Sequence, residues 1–166
     1  MIWKEFGENM FCIGDKIVYP MHGAGIIEKI EEKKILGEIR KYYILNVPYG
    51  DMKIMIPVDS SKEIGIRAIV SDEELSHVLN ILSDESSEMS ANWNRRYREN
   101  MEKLKTGDVL EVAEVVRNLM RTDRQKKLST GEKKMLTNAK QILSSEIILI
   151  KGIELSEANN IIDMAI

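Results

Sequence analysis

Hydrophobic and polar positions follow two different rhythms along the chain. Up to about residue 65 the apolar residues come in short β-rich runs. "DKIVYP" is followed by "MHGAG", whose two glycines suit a tight turn or bulge. "IIEKIEE" and "IRKYYILNV" then flank a turn at Gly37, "PYGD" closes another turn, and "MKIMIPV" supplies a further strand ending near Pro57. From about residue 71 the spacing becomes helical. Ser71 and Glu74 stand at capping-box distance ahead of a stripe of Leu75, Val78, Leu79 and Leu82. A polar connector over 83–91 precedes a helix predicted from about 93 to 105 and stopped by Gly107. Asp108 with Glu111, and Ser129 with Glu132, repeat the cap spacing. The last of these opens a long helix with Met135, Leu136, Ala139, Ile142 and Leu143 as its buried stripe, and "SEANNIIDMAI" adds a short final helix.

Four or five short strands in so few residues cannot build a broad sandwich; a small, strongly bent barrel of the SH3 or Tudor type is the economical solution. The fold class is therefore α+β. The expected division is a barrel over 1–68 and an all-helical bundle over 69–166.

Composition narrows the function classes. The 166 residues are 43% hydrophobic and 31% charged, in the range of a soluble globular chain, and only 5% aromatic. No apolar run approaches the ~18 residues that cross a bilayer, and the N-terminus lacks the layout of a signal peptide. A cytoplasmic location without a membrane partner is expected. Cys12 is the only cysteine, and His22 and His77 are isolated. No metal, cofactor or small-molecule substrate is therefore expected. There is no Walker loop and no Ser/His/Asp or Cys/His constellation, so no catalytic residue is assigned and the chain reads as a non-enzyme.

Charge adds the first positive indication. Residues 92–140 hold 13 Lys/Arg against 7 Asp/Glu, whereas 1–91 hold 10 against 16. A basic middle in a chain of net charge −3 fits either one local anionic partner, with nucleic acid the leading candidate, or an ordinary solvated helical surface. The densest part is "NWNRRYREN". A helix starting there puts Trp93, Tyr97 and Met101 on one stripe and Arg95 and Arg98 on another, with Arg96 between. The local pattern leaves two readings open. Trp93 either folds onto Tyr97 and the bundle, or is presented with the arginines to DNA as a minor-groove wedge. On the barrel, "MKIMIPV" is apolar on both alternations (Met52, Ile54 and Ile56 against Met55 and Val58). One side of such a strand needs a cover, from the chain itself or from a partner strand.

Two longer stretches carry a resemblance. "IGDKIVYPMHGAGIIEKIE" resembles the opening of the CarD/CdnL family of bacterial transcription regulators, a module shared with the transcription-repair coupling helicase. "NWNRRYRENMEKLKTGDVLEVAEVVRNLMRTDRQKKLSTGEKKMLTNAKQIL" is similar to the helical domain of the same family. The resemblance spans about residues 10–150. It implies a Tudor-like barrel docking on the RNA polymerase β subunit, partly by strand pairing, and a helical domain on promoter DNA. Trp93 would be the minor-groove wedge that stabilises the open complex, with Arg95, Arg96 and Arg98 on phosphates and weak sequence specificity. Polymerase contacts fall on Lys33, Met52, Ile54 and Met55. Some relatives carry arginine where this chain has Lys33 and Met55, which shifts the expected docking toward backbone pairing and apolar contact. Met10 is an alternative start, since residues 1–9 precede the motif. The competing expectation is a protein–protein adaptor that never touches DNA.

Overall fold

The computed structural model describes residues 11–48 and 52–166. Most of the turn expected at 48–51 lies outside them, as does Met10. The first half is a five-stranded antiparallel sheet in the order β4-β3-β2-β1-β5, formed by β1 (Lys16–Tyr19), β2 (Gly23–Ile35), β3 (Glu38–Val47), β4 (Met52–Pro57) and β5 (Arg67–Ala68). A short helix, α1 (Ser61–Ile64), precedes β5. Ile17, Ile27, Tyr43, Leu45 and Ile56 are fully buried at the centre of this Tudor-like unit.

Local chemistry explains the connections. Leu36 and Gly37 both have positive φ (51° and 83°), as a two-residue hairpin turn matched to strand twist requires. The pairing Ile35↔Glu38 closes directly on them. Gly23 and Gly25 lie within β2 rather than in a turn. The β1–β2 turn is made by Pro20, Met21 and His22, with Met21 at φ 73°. Gly25 is needed because a Cβ there would stand 2.7 Å from the Asn46 carbonyl oxygen on the neighbouring strand; the β2–β3 register shifts a little further on, between Ile27 and Lys29.

The second half comprises α2 (Asp72–Ser83), α3 (Trp93–Lys105), α4 (Val109–Gln125), α5 (Thr130–Lys151) and α6 (Leu155–Ala165). The cap spacings do what they predict at α2 and α5: Ser71 Oγ accepts from Glu74 N at 3.1 Å, and Ser129 Oγ from Glu132 N at 3.2 Å. At α4 the Asp108 carboxylate reaches one residue less far, to Leu110 N at 2.9 Å. The stripe Leu75, Val78 and Leu82 joins Leu104, Val116, Leu119, Ala139, Leu143 and Ile162 in one apolar core, with Leu79 and Leu136 at its margin.

The connector over 84–92 is more firmly held than its polar composition implies. Arg117 and Arg121, one turn apart on α4, donate to the carbonyls of Ile81, Leu82 and Asp84 at 2.6–3.2 Å. These are the orphan acceptors at the C-terminus of α2, which has no basic residue in its own last turn. Arg117 also reaches Ser87, whose hydroxyl donates to Glu114 at 2.6 Å. Burial alone would raise the pKa of Glu114. Hydrogen bonds from Lys103 and Ser87, with the charges of Lys103 and Arg117, outweigh it and hold the carboxyl below its ordinary value.

Candidate nucleic-acid interface and docking edge

Asn92 caps α3, its side-chain oxygen accepting from Arg95 N at 3.0 Å, so Trp93 is the first helical residue and starts at the surface. Its indole stacks on Tyr97, with centroids 5.1 Å apart and planes at 18°. The indole N–H donates to Ser129 Oγ at 2.9 Å. A Cβ at residue 131 would stand 3.3 Å from the indole, so Gly131 in the first turn of α5 leaves the room in which the ring lies. Even so, Trp93 remains 41% exposed. The bundle thus holds the ring, by its face on Tyr97 and its N–H on Ser129, without covering it.

The three arginines part company. Arg95 is exposed and reaches only along its own helix, to Glu99 at 2.7 Å. Arg98 is exposed and has no hydrogen-bond or ion-pair partner among the described residues. Arg96 turns inward. Its guanidinium forks onto the buried Glu132 carboxylate at 2.9 and 3.1 Å and donates to the carbonyls of Ser90 and Ala91. The Arg96 hydrogen bond holds the Glu132 carboxyl below its usual range against the opposing effect of burial, and Glu132 in turn raises Arg96. Trp93, Ser129, Glu132 and Arg96 therefore form one network that brings the N-termini of α3 and α5 together. Two positive helix ends beside each other favour anions.

Beside Trp93 runs an open groove of about 480 Å³ lined by Met89, Ala91, Trp93, Lys126, Lys127 and Ser129. Both lysines are exposed and, among the described residues, have no side-chain partner; Lys133 and Lys134 project from the first turns of α5 nearby. Sequence reasoning passed over "DRQKKLS" because the lysines are some thirty residues from Trp93. The signal was present as the loop joining two predicted helices. Among the described residues no group of three or more His, Cys, Asp or Glu is placed to hold a metal, and no helix is long and apolar enough to cross a membrane.

The barrel offers a different surface. Among the described residues β4 pairs only with β3, which leaves one backbone edge without a strand partner. Ile56 is buried and Ile54 packs partly on the barrel core, while Met52 and Met55 are exposed. Met52 and Ile54 thus share one face of the strand and Met55 stands on the other. Lys33 is not with them. It pairs in register with Arg40, beyond the Tyr42↔Pro57 pair where β4 ends, and its ammonium lies 3.6 Å from Glu31. The same ribbon carries Ile35, Leu36 and Ile39, all exposed, with Leu36 at 99%. These apolar residues were hidden in the sequence by the alternation that made the strands recognisable.

Comparison with known proteins agrees with this two-part anatomy. Residues 11–70 match the family model described as the CarD-like/TRCF RID domain, and residues 77–163 match that of the CarD C-terminal domain. The Bacillus subtilis (strain 168) protein "Putative transcription factor YdeB" is 47% identical over 144 residues, covering 87% of this chain and 94% of that protein. With both halves matched in order and a relative aligned over nearly its whole length, the chain belongs to the CarD family of transcription regulators.

Proposed function

We propose that the protein docks on the β subunit of RNA polymerase through the free edge of β4 and stabilises the promoter open complex through Trp93. The observation that carries this reading is the half-exposed indole, held against Tyr97 and Ser129 and bordered by Lys126 and Lys127, cations without a side-chain partner among the described residues, with Arg98 exposed further along the same helix. A ring already fixed along one edge loses little freedom on insertion into a minor groove, and the cations beside it can take the flanking phosphates. Arg95 joins them once it exchanges Glu99 for phosphate. Arg96 enters mainly as the residue that joins the two helix ends, since most of its donors are engaged within the protein.

Docking supplies a high local concentration, so a weak and largely sequence-independent DNA contact becomes effective. The wedge shifts the balance between closed and open complex only by its preference for the distorted duplex. A preference of about 1.4 kcal/mol is a tenfold shift. At β4, strand addition uses the free backbone donors and acceptors, with Met52 and Met55 as apolar contacts.

The test is open-complex lifetime on a cognate polymerase and promoter with no protein, wild type and Trp93→Ala, alongside thermal unfolding of each protein. Wild type should prolong the complex, and a folded Trp93→Ala protein should not. If the folded variant acts as wild type does, Trp93 is a packing residue. The half-buried geometry then favours an adaptor that meets two proteins.

A further inference from the structure

The barrel and bundle are joined along one side of α5 by contacts that fix direction as well as proximity. Ser145 Oγ accepts from Ala24 N at 2.8 Å, and a Cβ on Gly23 would collide with that hydroxyl at 2.8 Å. Pro20 packs on Gly107, where a Cβ would come within 2.9 Å of the ring. Val18, Ala24 and Leu149 form a small apolar cluster between the halves. At the centre is Glu146, 1% exposed. Its carboxylate receives both prongs of the Arg67 guanidinium at 2.8 and 2.9 Å and the Val70 N–H at 2.9 Å. Arg67 Nε donates to the Gly107 carbonyl at 2.8 Å, in the turn between α3 and α4. One side chain on β5 is therefore bonded to α5 and to the turn that ends α3.

Apolar burial alone is non-directional, and a patch as small as Val18, Ala24 and Leu149 has no fixed rotation. A buried ion pair is a poor way to gain stability, since apolar replacements commonly do as well. A planar fork on a carboxylate does fix orientation. The placement is also telling. β5 and β4 are the two opposite edges of one sheet, so one edge is joined to the bundle and the other has no strand partner among the described residues.

We propose that Arg67 and Glu146 are positioning residues. They hold the free β4 edge and the Trp93 end of α3 at one fixed offset, so that docking delivers the indole to DNA in a single orientation. The proposal rests on the function proposed above, although neither residue touches polymerase or DNA. Without the clamp each surface stays intact while the offset varies, and the local concentration gained by docking is spread over many orientations.

The test pairs a distance measurement with an activity. Nitroxides on Cys12, the exposed single cysteine, and on an exposed α6 position through Glu157→Cys report the offset in the full chain by pulsed electron paramagnetic resonance. Wild type should give one narrow distance distribution. Glu146→Ala, Glu146→Gln and Arg67→Lys should broaden it, with the lysine variant least affected because it keeps the charge and loses only the fork. In the same variants, affinity for polymerase and for duplex DNA should each stay within about twofold of wild type, while the gain in open-complex lifetime falls about tenfold as effective concentration is lost. If Glu146→Ala lacks a cooperative unfolding transition, the two milder variants decide. A distribution as narrow as wild type in every folded variant overturns the proposal, and so does a broadened one with the lifetime gain intact. If wild type itself does not prolong the complex, the proposed function fails and the positioning role goes with it. The distance distributions then report only whether the clamp is rigid.

Discussion

The β4 side of the barrel and the Trp93 side of the bundle are exposed for opposite reasons. On the barrel several cations are matched: Lys29 and Lys33 share Glu31, Arg40 faces Asp59, and Lys53 faces Glu28, while Lys34 and Lys41 have no side-chain partner among the described residues. Large apolar side chains stand in water beside them, namely Leu36, Ile39, Met52 and Met55. Around Trp93 the pattern is reversed. Apart from the half-exposed indole, most apolar side chains are buried under the helices, and what stands in water is charge without a partner among the described residues, at Arg98, Lys126 and Lys127. On the function proposed above, the two surfaces should answer differently to salt. Docking should rest on backbone pairing and apolar contact and vary little with salt, whereas DNA binding should weaken steeply.

The largest effect expected from a single change bears on what keeps the two helix ends beside Trp93. Glu132→Ala leaves Arg96 partly buried without its acid and should cost about 3 kcal/mol of unfolding free energy, read by chemical denaturation. Because Arg96 depresses the Glu132 pKa, this contribution is fully present above the ordinary carboxylate pKa and is lost as pH falls through the depressed folded value. The advantage of wild type over Glu132→Gln should therefore shrink with acidification. An advantage that does not change across that window would mean that pairing is not its source.

Met55→Glu places a charge on the apolar docking edge and should weaken polymerase binding by roughly 2 kcal/mol while leaving duplex DNA binding unchanged. Equal loss at both surfaces would erase the contrast. Lys126→Ala combined with Lys127→Ala does the converse. DNA affinity should drop for all sequences alike, and the slope of log affinity against log salt should become shallower by about 2, with polymerase binding untouched. Smallest is Glu99→Gln, which removes an exposed pair one helical turn apart and should change stability by only about 0.4 kcal/mol. A much larger change would show that Arg95 is held by more than that pair.

What could be read from the sequence was what is encoded within a few residues. The Ser71 and Ser129 caps, the hairpin at Gly37 and the stop at Gly107 all act over four residues or fewer, and all stand where the spacing puts them. The α+β class followed from the change of period. β5, two residues long, has no period to read, and α1 is a single turn. At the site, Trp93 and its neighbours were legible as a motif, but their individual roles were not. Arg96 and Glu132 lie 36 residues apart, and the sequence does not show that one arginine of three turns inward. The same limit applies to the charge count. Of the cations in 92–140, Arg117 and Arg121 serve the end of α2, Lys103 faces Glu114 and Lys140 faces Asp163. The basic segment is real, but only part of it is available to a partner.

The Ala24–Ser145 hydrogen bond joins residues 121 positions apart, and Lys16 reaches the Leu149 carbonyl across 133. A ribosome adding about 5–20 residues per second reaches α5 several seconds after the strands have emerged. Hairpins form in microseconds. The sheet, complete at residue 68, therefore spends about half of synthesis without the helix that covers β1 and β2, and has to meet that helix as a finished surface. The glycines at 23 and 107 make this late meeting possible, because each leaves a dent into which the other half fits without refolding what is already made. A bulkier residue at either position would be felt twice, first as backbone strain at a positive φ (109° at Gly23, 72° at Gly107) and again at the last step, as halves that do not close.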